Sequence, residues 1–164
     1  MSMQINKENI WNSLEKVKDP EIPVLSVVDL GVVRAVDIID DQVEIKITPT
    51  YSGCPAMKEI EFDILQTLQQ DFDTTVHVHT VLSPAWTTDW LSEAGRKKLL
   101  DYGISPPADE SKDKSKLFQQ PKNVICPVCK SYNTEMKSQF GSTACKSLYQ
   151  CLDCKEPFYY FKCH

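Results

Sequence analysis

Val43-Glu44-Ile45-Lys46-Ile47-Thr48 and Thr75-Val76-His77-Val78-His79-Thr80-Val81-Leu82 bracket the stretch that decides the fold. In the first segment Val43, Ile45 and Ile47 alternate with polar residues, the period of a strand with one buried face. Between the two segments Met57, Ile60, Ile64 and Leu68 recur at helical spacing. Strand, helix, strand implies a parallel crossover. Upstream, residues 32–39 (Val32-Val33-Arg34-Ala35-Val36-Asp37-Ile38-Ile39) read as another strand, joined to 43–48 by a hairpin turn at Asp40-Asp41. The expectation is an α/β (α+β) domain: a small mixed three-stranded sheet with packed helices.

Working outward, Asn6 caps a helix whose Ile10, Trp11, Leu14 and Val17 share a face, with Pro20 ending it. Pro49 to Pro55 is a loop feeding the second helix. Pro55 suits the first helical position, which makes Cys54 the expected N-cap. Thr87, Thr88 and Asp89 offer caps for a third helix of about a dozen residues, closing at Tyr102 with Gly103 as its left-handed stop. Residues 104–122 mix prolines with dense alternating charge and read as a linker. The organisation is therefore an α/β domain over 1–103, a linker over 104–122 and a terminal module over 123–164.

That module carries Cys126-Pro127-Val128-Cys129 and Cys151-Leu152-Asp153-Cys154. Two such pairs on a hairpin place four thiolates around one tetrahedral ion, which makes this a zinc ribbon with a structural metal. No apolar run approaches a membrane span, and Met1 to Lys7 is polar, so the chain is expected in a reducing cytosol where thiols bind metal rather than pair. Residues 1–102 hold 9 basic and 17 acidic side chains, net −8, while 103–164 hold 9 and 6, net +3. An acidic main domain repels phosphate backbones, and the tail lacks a dense basic stripe, so nucleic acid is an unpromising partner.

Several residues carry two readings each. Cys54, between Ser52-Gly53 and Pro55, is either a thiol activated by a helix start or a small buried capping residue. Asp19 and Glu21 around Pro20 could hold a metal, act as an acid/base pair, or simply shape a solvated turn. His77 and His79 share one strand face, as metal ligands or as its polar outer side. Trp86 and Trp90 are core lids or interface anchors. Cys145, Cys163 and His164 remain after the ribbon ligands are assigned, as a second metal site or as spectators. No nucleophile–base pattern or phosphate-cradling glycine loop is readable, so the chain is not expected to catalyse a reaction alone.

Taken together, Asp19-Pro20-Glu21-Ile22-Pro23, Asp29-Leu30-Gly31 and Thr48-Pro49-Thr50-Tyr51-Ser52-Gly53-Cys54-Pro55 resemble the metal–sulfur cluster biosynthesis family, an iron–sulfur assembly-type α/β domain. With Trp86 to Trp90, Gly95-Arg96, Tyr102-Gly103-Ile104, the ribbon, Phe140 to Lys146 and Phe161 to His164, nearly the whole chain is similar to the PaaD family. These are the D components associated with phenylacetyl-CoA 1,2-epoxidase, a ring-epoxidising monooxygenase of phenylacetate catabolism. The resemblance implies an accessory or maturation role in assembling iron–sulfur or di-iron centres. It makes Cys54 the functional cysteine, with Asp19 and Glu21 its acidic motif and transient iron or an iron–sulfur cluster as cargo. The implied partners are the reductase or hydroxylase of that system. The alternative is a docking component without metal delivery, and a homo-oligomer is compatible with either.

Overall fold

The computed structural model describes residues 3–108 and 124–162. It divides into two compact units, Met1–Gly95 and Arg96–His164. In the first, β1 (Val33–Ile39) and β2 (Gln42–Ile47) pair antiparallel, and β2 pairs parallel with β3 (Val76–Thr80), giving the order β1-β2-β3. The mixed three-stranded sheet is as the alternation predicts. Asp40 and Asp41 both hold positive φ (49° and 61°), the geometry a tight two-residue hairpin demands. Val43, Ile45 and Ile47 are fully buried, as are Ile60, Ile64 and Leu68 on the helix α2 (Met57–Asp71).

The helix boundaries differ from the sequence reading in three places. First, α1 (Lys7–Leu14) opens on the expected cap, with the Asn9 N–H donating to Asn6 Oδ1 at 2.8 Å, but it stops before Val17. Its end tightens into three-residue turns, Lys16 onto Ser13 and Val17 onto Leu14, and Lys18 then bridges to Ser26. Pro20 thus lies beyond a helix already finished.

Second, Cys54 is not the N-cap of α2. Its carbonyl accepts from the Met57 N–H at 3.3 Å, a tight turn that precedes the helical ladder starting with the Ile60 N–H on the Ala56 carbonyl. Ala56 occupies the cap and offers no side-chain bond.

Third, the last helix is two capped pieces. Thr87 caps a single 3-10 turn, Thr88–Trp90, through the Asp89 N–H. Leu91 is extended, and Ser92 caps the helix α3 (Glu93–Tyr102) through the Gly95 N–H at 2.9 Å. Gly103 supplies the left-handed stop with φ 95°.

The second unit contains a four-stranded sheet in the order β4-β7-β6-β5: β4 (Ile104–Ser105), β5 (Thr134–Ser138), β6 (Lys146–Cys151) and β7 (Pro157–Phe161). β4 runs parallel to β7 and the other pairs are antiparallel. Ile104 and Ser105 stand at the head of the stretch expected as linker; residues 109–122 of it lie outside the described residues. Val124, Cys126, Tyr149, Cys151, Phe158 and Tyr160 make the ribbon core, with Met136 against it. No helix among the described residues is long and apolar enough to cross a membrane.

Candidate metal centre and cysteine loop

The two Cys-x-x-Cys turns are near copies of each other. In each, the first cysteine's N–H donates to the carbonyl five residues on, Cys126 to Ser131 at 2.8 Å and Cys151 to Glu156 at 3.0 Å. After each second cysteine comes a lysine with positive φ, Lys130 and Lys155. A staple joins the turns: Ser131 Oγ and Asn133 Nδ2 both donate to the Asp153 carboxylate.

This geometry brings all four sulfurs within 4.8 Å of one another, with Cys126–Cys154 at 3.7 Å and Cys129–Cys151 at 3.5 Å. A zinc ion with four bonds of about 2.3 Å needs tetrahedron edges of about 3.8 Å, so the quartet fits a structural zinc. Electrostatics point the same way. Cys151 is drawn down to about 7, chiefly because the Cys154 N–H is aimed at its sulfur. Cys154, despite the Glu156 N–H aimed at its sulfur, is pushed up to about 12 by desolvation and the neighbouring thiols. Four crowded sulfurs resist ionising together, and a divalent cation removes that conflict. Each turn contributes one fully buried ligand (Cys126, Cys151) and one exposed ligand (Cys129, Cys154).

The Cys54 loop is built differently. Tyr51-Ser52-Gly53-Cys54 is a type II turn: the Cys54 N–H donates to the Tyr51 carbonyl at 3.2 Å, and Gly53 has φ 81°. Ser52, Gly53 and Pro55 are exposed and Cys54 is part-exposed, so its thiol belongs to a surface turn at the end of β2.

Asp19 takes the turn-shaping role. Its Oδ1 accepts the Glu21 and Ile22 N–H groups at 2.9 and 2.7 Å. Among the described residues the ribbon quartet is the one set of three or more His, Cys, Asp or Glu donors within 4.8 Å of each other. Cys54, Asp19 and Glu21 therefore do not meet as a ready-made ligand set.

Asp29-Leu30-Gly31 is a structural hub. Asp29 accepts from the Ser26 N–H and the Ser92 hydroxyl, and the Ser26 hydroxyl accepts from the Asp29 N–H. Trp86 is buried and donates its indole N–H to the Leu30 carbonyl at 2.7 Å. Trp90 lies 3.4 Å beneath the Arg34 guanidinium, a cation–π contact. Both tryptophans thus close the domain's own core and rim. Ser92 went unnoticed because a lone serine between Leu91 and Glu93 carries no periodic signal.

Cys145 is buried in the ribbon, with its sulfur 3.1 Å from the Thr143 hydroxyl. Cys163 and His164 lie outside the described residues.

Comparison with known proteins follows the same division. The model described as "Iron-sulfur cluster assembly protein" matches residues 7–80, and that described as "PaaD zinc beta ribbon domain" matches residues 110–162. An Escherichia coli protein provisionally named as the D component of 1,2-phenylacetyl-CoA epoxidase is 48% identical over 94% of this chain and 91% of its own. The Fe-S protein maturation auxiliary factor YitW of Bacillus subtilis is 41% identical over 52% of this chain and 85% of its own. A crystal structure of a domain of unknown function, DUF59, from Bacillus anthracis superposes with a TM-score of 0.53 at 27% identity, covering 57% of this chain and 90% of that one.

Proposed function

The chain belongs to the PaaD family of epoxidase D components, and from that premise we propose that it is an accessory factor that matures the metal centres of other proteins. Its clients on this reading are the components of a phenylacetyl-CoA epoxidase system, the iron–sulfur reductase or the di-iron hydroxylase. The observation that carries the proposal is the contrast between two sulfur environments. Four thiols converge in the ribbon, a closed site suited to holding an ion permanently. Cys54 stands apart on a glycine-hinged, part-exposed turn, where a thiolate can take iron or a cluster and release it by ligand exchange. Maturation roles named for relatives of the N-terminal domain support this assignment.

The ribbon's chemistry is structural. Zinc held by Cys126, Cys129, Cys151 and Cys154 would fix the two turns, and the buried Cys126 and Cys151 tie it to the Tyr149–Phe158–Tyr160 core. Asp19 shapes the turn after α1 by accepting the Glu21 and Ile22 N–H groups.

The test is reconstitution of cluster-free reductase and iron-free hydroxylase with wild-type protein and with Cys54→Ala. Faster or fuller reconstitution by wild type alone is expected. Equal reconstitution by both proteins removes Cys54 from the mechanism. A docking role is favoured in that case by Val128 and Tyr132, which are each 62% exposed at the ribbon turns and suit a protein contact.

A further inference from the structure

The outward face of the N-terminal sheet holds a second gathering of metal-ligating side chains. β2 is the central strand, and its register sets Glu44 beside His77 and Lys46 beside His79 of β3. Strand residues two apart point the same way, so both imidazoles project from one face. Their rings are stacked, with centroids 6.4 Å apart and planes 25° from parallel. Glu44 Oε2 lies 2.5 Å from His79 Nε2, so two of the three side chains already touch. On the other side of Glu44, Asp37 is occupied by Lys7 at 3.0 Å and stays out of the set.

We propose that Glu44, His77 and His79 form a site for one exchangeable divalent first-row transition-metal ion, separate from the cysteine quartet. Two imidazoles and one carboxylate are a donor set for ions of intermediate softness, and three ligands leave positions open to water. Two imidazoles on a tetrahedral ion, with bonds of about 2.1 Å, bring their centroids to about 5 Å. The present 6.4 Å is about 1 Å wider than that, so binding would require a side-chain rotation of His77. The ion would sit between His79 Nε2 and Glu44 Oε2, where the two side chains now meet directly. His79 and His77 are exposed, so an ion here exchanges with solvent more readily than one gripped by four thiolates, two of them buried. The assignment stands independently of the maturation reading, which rests on Cys54.

The experiment uses untagged full-length protein with its ribbon filled with zinc, titrated calorimetrically with Zn(II) and, under anaerobic conditions, with Fe(II). One equivalent beyond the ribbon zinc is expected. His77→Ala and His79→Ala should each abolish it, Glu44→Gln should weaken it about tenfold or more, and Cys54→Ala should leave it in place. The two histidines are exposed and Glu44 is part-exposed, so circular dichroism should be unchanged. A wild-type protein that takes up no second equivalent overturns the proposal. So does an equivalent that persists when His77→Ala and His79→Ala are combined on a Cys54→Ala background, where the thiol cannot supply it. Either result leaves the Cys54 reconstitution test untouched.

Discussion

Lys130 and Lys155 are structural counterparts: each follows the second cysteine of its pair, holds a left-handed backbone (φ 62° and 66°), and donates its ammonium to the carbonyl three residues earlier. Lys130 reaches Pro127 at 2.7 Å and Lys155 reaches Leu152 at 2.5 Å. The turn demands a conformation that costs a side-chain-bearing residue about 1 kcal/mol, and the lysine recovers part of that with its own hydrogen bond.

Lys130→Gly and Lys155→Gly should therefore keep the ribbon folded and change stability by no more than about 1 kcal/mol, with Gly's backbone freedom offsetting the lost bond. Lys130→Val should lose about 1–2 kcal/mol, because a β-branched residue both resists positive φ and makes no bond. Denaturant unfolding of the zinc-loaded protein, followed by tyrosine fluorescence, distinguishes the two. A stable valine variant would mean that the turn is not under the constraint described.

Removing one cysteine of the quartet should release the zinc, and the four positions should not respond alike. Cys126→Ala and Cys151→Ala also open space inside the apolar cluster, so they should abolish the near-ultraviolet signal of Tyr149 as well as metal binding. Cys129→Ala and Cys154→Ala, at exposed positions, should lose zinc but keep more of that signal. Zinc content by atomic absorption and circular dichroism give the two readouts. A wild-type zinc content in any of the four variants would contradict the quartet.

Gly31 and Gly53 both hold positive φ, yet their neighbours differ. A Cβ on Gly31 would fall 2.7 Å from Trp90 Cβ and closer still to the Trp90 carbonyl oxygen, whereas a Cβ on Gly53 meets nothing within 4 Å. Gly31→Ala should cost about 2–4 kcal/mol by displacing the Trp90 segment. Gly53→Ala should cost only the conformational penalty of about 1 kcal/mol. Urea denaturation of the two variants gives the comparison, and equal losses would show that packing at Trp90 is not what matters.

Asp71 is held below the usual carboxylate range, first of all by the hydrogen bond from the Lys16 ammonium at 2.6 Å. A lowered folded-state value means that its contribution is fully present above the unfolded value of about 4 and is lost as pH falls through the folded value. Asp71→Asn should lower the neutral plateau slightly, since the Lys16 partner is exposed, and flatten the acid limb of the stability curve below about pH 4 by the same small amount. An unchanged acid limb would show that this pair is not linked to folding.

The sheet was legible in the sequence because its signals are local: alternation at Val43, Ile45 and Ile47, and two aspartates where a hairpin must turn. The metal quartet was legible because spacing alone determines which sulfurs can share an ion. Helix ends were less so. Ser92 and Thr87 compete as caps, and which one starts α3 depends on Asp29, 63 residues away from Ser92. Cys54 was misplaced as a cap for a related reason, since a proline fits the first helical position and a preceding tight turn equally well. The His79–Glu44 contact depends on strand register, which a single strand's pattern does not reveal.

The quartet's split between covered and uncovered sulfurs also sets how the ribbon comes apart. A chelator or an oxidant approaching from water meets Cys129 and Cys154 first, while Cys126 and Cys151 still grip from the hydrocarbon side. Loss of the ion should then proceed by stepwise attack whose rate rises with reagent concentration, so the tail's lifetime depends on its chemical surroundings as much as on its folding strength.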